Sequence, residues 1–437
     1  MTGGARSANG GPESTTSTTS SASTTSTAST TSTAPKNGSG KGGSGTREPL
    51  VRRLRSGTTK WHGPIGFVAV ALLVFAVAPA TLSPFRLELL AKYLCFAIAA
   101  LGIGLAWGKG GMLTLGQGVF FGLGGYAMAM HLKLAEAGPG ELPDFMVWSG
   151  VEELPMLWEP FRQPWFAILM VVLLPGTIAA LLGLLVFGRR VRGAYFAILT
   201  QALAAAFVIW LVGEQGLTGG TNGLTNFSTF FGLDLADDAD KRVLYFAVAT
   251  VLGLLYLGFR QLVASRFGRL LIAVRDGEDR VRFLGYDPAV FKTVAFTLSA
   301  ISAGIAGALF VPVVGIISPA LLGVVPSLEL VFAVAVGGRY ALAGAVLGAV
   351  LLNYAKTTFS ENWAGGWLYL QGALFIAVMA YAPKGVIGVA GQIRDFAAEQ
   401  ARRLGNRRSD GPRQPGPERR VPRPAPSVSD EKTEVVA

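Results

Sequence analysis

Cysteine and histidine are almost missing from this chain: one Cys and two His in 437 residues. Cys95 lies inside an apolar run, so an intrachain disulfide is excluded and a thiol nucleophile is disfavoured. His62 and His131 fall near the ends of apolar runs, where interfacial side chains are expected. They leave too few soft ligands for a zinc or copper centre. Charge is scarce too. Only 15% of the residues are Asp, Glu, Lys or Arg, against about 25% in soluble domains. The phosphate-loop spacing G-x-x-x-x-G-K-[ST] is also absent, and KNGSGKGG approaches it only loosely, with no strand ahead of it.

What is present is apolar length. The hydrophobic share is 51% and the mean hydropathy +0.46, even though polar tails at both ends dilute both figures. Apolar runs near the length of a bilayer crossing imply an all-α, polytopic membrane protein. Spans are expected near 64–82, 87–107, 112–132, 165–187, 194–212, 243–262, 291–311, 327–338, 341–354 and 367–382. The eighth and ninth are short for a hydrocarbon core of about 30 Å, so nine or ten crossings are expected, with that pair tilted, extended or re-entrant. No secretory signal is read at the amino terminus, so the first run is expected to stay as a span.

The net charge of +11 does not form a nucleic-acid patch. Basic residues flank the spans instead: Lys109, then Arg189, Arg190 and Arg192, then an Arg-rich segment, then Arg339 and Lys384. With both termini in the cytoplasm, each of these clusters falls inside. The opposite loops carry Glu136, Glu141, Asp144, Glu152, Glu153 and Glu159, and later Asp234, Asp237, Asp238 and Asp240. Residues 1–60 read as a disordered Ser/Thr-rich tail turning basic, 61–389 as the membrane domain and 390–437 as a Pro/Arg-rich cytoplasmic tail. Residues 133–164, with LPDFMVW and ELPMLWEPFRQPW, suit a compact external cap that either docks a partner or anchors at the interface.

One stretch breaks the apolar pattern: RFGRLLIAVRDGEDRVRFLGYD, residues 266–287. Phe267, Leu270, Leu271 and Val274 make one helical stripe, and Val281 and Leu284 resume it. Asp276 and Gly277 interrupt, and Gly285 suits a helix stop. Arg275–Asp279, Asp276–Arg280 and Glu278–Arg282 have the spacing of i,i+4 ion pairs. A solvated loop carrying topogenic arginines would explain this. So would a bent coupling helix, seated in a cytoplasmic ATPase, with Arg275, Asp276, Gly277, Glu278, Arg280 and Gly285 as its working residues.

GKGGMLTLGQGVFFGLGGYAMAM, LTGGTNGLTNF, the 266–287 segment and AGIAGALF together resemble the permease subunits of branched-chain amino-acid-type ABC importers. ELPMLWEPF, AILTQAL, FLGYD, VPVVGIISP, VLLNYAKTTFSE and APKGVIGV, in that order, resemble the second, longer permease of the urea branch. Three features depart from the pattern. Tyr340 and Ala341 follow GGR where small or hydroxyl residues are usual, and Gln117 stands where that branch more often has His. Arg280 and Val281 replace small residues in the coupling loop, as is common in the urea branch. The resemblance implies a bacterial plasma-membrane importer with a second homologous permease, two cytoplasmic ATPases and an external solute-binding protein. ATP and Mg would sit on the ATPases, with no cofactor in this chain.

For a small planar amide such as urea, a path needs amides and hydroxyls rather than a fixed ion. Polar residues inside spans are therefore candidates: Gln117, Thr200, Gln201, Asn222 and Asn353, with interhelical bonding as the plainer role. Gly219 to Phe227 could shape the outer mouth or simply turn. Gly116, Gly118, Gly122, Gly124 and Gly125 suit a close-packed seam, with the second permease as one candidate partner. Glu329, read as a span start, could pair with an arginine or line an entrance. A branched-chain amino-acid path is the near alternative and a stand-alone channel or secondary transporter the remote one. The latter would want an acidic residue deep in a span, and none is evident. An intramembrane enzyme lacks a catalytic cluster.

Overall fold

The computed structural model describes residues 70–191, 193–362, 366–381, 385, 386 and 388. The two tails, the start of the first expected span, His62, Arg192 and Lys384 lie outside the described residues. Those described fall in the second of the chain's two units, Gly63–Ala437.

Helices carry nearly all of it, in chain order α1 (Val70–Thr81), α2 (Pro84–Lys109), α3 (Gln117–Ala137), α4 (Asp144–Trp148), α5 (Pro164–Gly188), α6 (Ala194–Gly213), α7 (Gln215–Thr218), α8 (Asp238–Ala264), α9 (Arg266–Phe283), α10 (Pro288–Val314), α11 (Val324–Gly337), α12 (Leu342–Asn362) and α13 (Trp367–Tyr381). Seven of the described helices are long and apolar enough to cross a bilayer, counting α11 with the short 3-10 turn before it. That is the polytopic all-α architecture expected, with seven qualifying helices among the described residues against the nine or ten crossings expected: α1 and α13 are shorter, and α3 is not among the seven.

The hub is α10. Its Pro288 and the Asp287 carboxylate, which accepts from Ala289 N–H, start it cleanly. It packs against α2, α3 and α5 through small residues. A Cβ at Gly124 would strike the Gly304 carbonyl, and one at Gly307 the Phe121 carbonyl. The glycine seam of α3 is thus built within this chain, against α10 and the Leu322 turn, rather than left for a second permease. Two ring clusters fill the space around the seam: Phe120, Phe187, Phe196 and Phe296, and Phe96, Phe121 and Phe310.

Three expectations are corrected. The third span does not begin as helix at 112. Residues 112–116 run without helical structure into the bundle, and α3 starts only at Gln117. Thr114 and Met112 are buried there, and Leu115 N–H donates to Thr200 Oγ1 at 3.1 Å. Irregular backbone is tolerated at such depth when protein satisfies it. The ninth span is not short: α12 continues to Asn362 because Lys356, which ends the apolar run, pairs with Glu329 at 2.6 Å. Nor does the eighth begin at Ser327; α11 starts at Val324, with Pro326 in the first turn, where no helical N–H is lost.

Two-residue strands add little, but one joins distant motifs. Leu224–Thr225 (β1) pairs antiparallel with Ile316–Ile317 (β4), while Thr229–Phe230 (β2) pairs with Leu233–Asp234 (β3). Residues 138–163 are held together by local contacts. Arg162 donates to the Gly138 carbonyl at 2.7 Å, and Trp158 and Phe161 pack edge to face. His131 is buried, not interfacial, because its Nδ1 lies 2.8 Å from the Phe161 carbonyl and anchors this loop.

Candidate functional site

Two places gather polar chemistry, one at the basic end of the bundle and one inside it. At the basic end, Ser265 caps α9, which buries Leu271, Val274 and Val281 while Phe267 stacks on Phe291. Backbone torsions at Gly277 (φ −169°, ψ 78°) break α9 into two limbs at the expected interruption. The break also undoes the helical register of two expected pairs, 275/279 and 276/280. Arg275 instead binds its neighbour Asp276 at 2.8 Å, and the 278/282 pair forms at 3.4 Å. The hydrogen bond from Arg275 holds the Asp276 carboxyl below its usual range, against a smaller opposing effect of desolvation.

Each limb is tied to the membrane helices. Arg275 Nη1 donates to the Gly108 carbonyl at 2.7 Å, a group freed by the π-helical end of α2. Its guanidinium also lies over the Tyr340 ring, whose carbonyl takes a bond from Lys109. In the second limb Glu278 binds Lys292 of α10 at 2.6 Å, both side chains mostly buried. Gly285 closes the limb as a Schellman stop: φ is +86°, its N–H reaches the Arg282 carbonyl, and Tyr286 N–H reaches Val281. Arg280 is exposed. Leu284, expected on the buried stripe, is 74% exposed and Phe283 92%, because the chain turns outward at this stop.

Inside the bundle a cavity of about 460 Å³ opens between α2, α11, α12 and α13. Leu89, Phe96, Phe121 and Phe310 give it apolar walls; Tyr93, Asn353, Thr357, Ser360 and Gln371 give amides and hydroxyls. Tyr93 OH donates to Thr357 Oγ1 at 2.6 Å. Its charged members are Lys92, Lys356, Glu329 and Glu361. Both carboxylate oxygens of Glu329 accept from Lys356 Nζ, at 2.8 and 2.6 Å. This corrects the expectation of a path without fixed ions, and of no acidic residue away from span ends. Glu329 lies inside α11, and its partner is a lysine rather than an arginine.

The five polar candidates do not meet. Asn353 lines this cavity while donating to the Ala349 carbonyl of its own helix. Asn222 is exposed and lines a separate cavity of about 250 Å³ with Lys133, Asp144 and Gln215, beside the Gly219–Gly223 turn. Gln117 is fully buried between helices, donating to Ser299 O at 2.9 Å and Oγ at 3.1 Å. Its Oε1 has no partner among the described residues. Thr200 supports the irregular 112–116 run, and Gln201 is half-buried. Sequence reasoning passed over Lys92 and Lys356. The signal for Lys92 was available: an ionisable residue inside an apolar run costs about 2.5–3.5 kcal/mol at mid-membrane and is seldom idle.

Comparison with known proteins agrees with this geometry. The family described as branched-chain amino acid transport system / permease component matches residues 85–379. The high-affinity branched-chain amino acid transport system permease protein LivM of Escherichia coli (strain K12) is 28% identical over 342 residues, covering 73% of this chain and 74% of its own. LivM of Salmonella typhimurium matches with the same identity and coverage. No solved structure matches. With a bundle of membrane-crossing helices, a kinked charged helix at its basic end and a polar cavity within, the chain belongs to the branched-chain amino acid transport permease family.

Proposed function

We propose that this chain is the translocation subunit of a bacterial plasma-membrane ABC importer for urea or a similar short amide. A second homologous permease completes the pore, an external binding protein delivers the solute, and two cytoplasmic ATPases carry the ATP and Mg. The observation that supports this most is α9. A helix clamped to α2 and α10 by Arg275 and Glu278, yet ending in bare Phe283 and Leu284, is suited to take a push at one end and pass it to membrane helices at the other. An apolar tip without cover at the basic end fits insertion into an ATPase cleft. ATP-driven closure would then rock the bundle between outward and inward access.

The urea assignment rests on the ordered motifs of the urea branch. The two lysines and two glutamates of the cavity sum to zero, a balance that serves an uncharged solute and a zwitterion alike. Branched-chain amino acids are the second reading, favoured by the printed function of the LivM relatives. Uptake of labelled urea and labelled leucine, by cells with and without the gene under nitrogen limitation, separates the two. Gene-dependent urea uptake is the expected outcome; gene-dependent leucine uptake alone removes the urea reading.

A further inference from the structure

Of the four charged groups in the 460 Å³ cavity, two are satisfied by each other and one, Glu361, is exposed at the end of α12. The fourth is different. Lys92 sits well inside α2, half-buried, and makes no hydrogen bond or ion pair among the described residues. Glu329 lies within electrostatic reach of Lys92 but is hydrogen-bonded on both oxygens by Lys356, so Lys92 is not its hydrogen-bond partner. An ammonium whose N–H groups make no hydrogen bond within a membrane bundle is costly unless something occupies those donors. Of the other polar groups in the cavity wall, Tyr93 OH is given to Thr357 and Asn353 Nδ2 to its own helix, while the buried Gln371 Oε1 has no partner among the described residues.

We propose that Lys92 is the residue through which this cavity reads a passing solute, donating from Nζ to the solute's carbonyl-type oxygen, while the Glu329–Lys356 pair accepts the solute's N–H hydrogens on carboxylate lone pairs. Lysine is a compact point donor with three hydrogens, matched to one carbonyl oxygen. A bidentate carboxylate matches two N–H groups on one face of a planar amide. The apolar walls of Phe96, Phe121 and Phe310 leave bulk water few competing sites and so sharpen the discrimination. This deepens the function proposed above and rests on it for the path, but not for the identity of the cargo. The oxygen could belong to urea or to the carboxylate of an amino acid.

The test uses the complete importer, with its partner permease, ATPases and binding protein, reconstituted in liposomes and supplied with whichever of urea and leucine the unaltered importer carries. Failure of urea in that control counts against the urea reading alone, and the Lys92 test then proceeds with leucine. Lys92→Met and Lys92→Gln are each expected to lower the transport rate by about tenfold or more, because one charge-assisted bond to the cargo is lost. Lys92→Arg, which keeps a donor, is expected to recover part of it. Subunits should co-purify in normal ratio. With urea as cargo, preference over thiourea, whose sulfur is a poor acceptor, should shrink in Lys92→Met; with leucine, preference over leucinol should shrink. Transport by Lys92→Met at the unaltered rate and preference overturns the proposal. So does loss of co-purification in Lys92→Met, which would make Lys92 a structural partner to another subunit.

Discussion

At the scale of single residues, Gly285 and Asp276 separate backbone from charge. Gly285 holds φ +86° just beyond α9, a conformation that costs an L side chain about 1–2 kcal/mol. A Cβ there meets nothing, so the cost is conformational only. Gly285→Ala should therefore lower the thermal midpoint of the detergent-purified protein modestly, and Gly285→Asn, more at ease in that region, should lower it less. Equal losses in the two would argue that the stop is not maintained by its backbone angle. Asp276 has its carboxyl held below the usual range by Arg275. A depressed carboxylate contributes stability above its unfolded value and loses it as pH falls through the folded one. From roughly pH 5 to 8 it stays ionised. The difference between Asp276→Asn and the unaltered protein in cargo-stimulated ATP turnover should thus be flat across that window. A difference that changes sign or vanishes within it would show that another group titrates in its place.

At the scale of elements, the break in α9 and the seam between α3 and α10 make opposite demands on glycine. Gly277 is kinked without needing a left-handed angle, and a Cβ there meets only the flexible Arg280 side chain. Gly277→Ala should fold, favour a straight helix by about 1 kcal/mol, and reduce cargo-stimulated ATP turnover severalfold while subunits still assemble. Unchanged turnover would mean the bend does not transmit motion. Gly124 has no such latitude, because a side chain would run into the Gly304 backbone. Gly124→Val should abolish accumulation of folded protein in the membrane, assayed by protease resistance. Between α11 and α12, the Glu329–Lys356 pair can be isolated by a double-mutant cycle. Replacing both by Leu should cost less than the sum of single replacements, with a coupling of about 1–2 kcal/mol. The value is kept modest because Lys356 is partly exposed.

At the scale of the whole molecule, the proposed importer uses α9 as the handle on the membrane helices and assigns nucleotide chemistry to separate chains. Purified alone into liposomes, this chain should pass no labelled urea. Uptake should appear only when ATPases, second permease and binding protein are added together with ATP. Full-rate uptake by the isolated chain would remove the importer reading. The same requirement explains the polarity of the two sites. The charged groups of the cavity sum to zero, while the contacts of α9 are charged at the basic end of the bundle.

Composition and periodicity determined the fold class, the approximate positions of the spans, the bend at Gly277 and the stop at Gly285. These are local consequences: apolar length sets a crossing, and glycine sets a break, whatever surrounds them. The start of α3 at Gln117, the length of α12 and the burial of His131 were not legible, since each depends on a partner far along the chain: Thr200, Glu329 and Phe161. The same holds for the cavity. Lys92, Glu329 and Lys356 lie on three helices that only tertiary packing brings around one space, and only there does it emerge that Lys356 is hydrogen-bonded to Glu329 while Lys92 makes no hydrogen bond among the described residues.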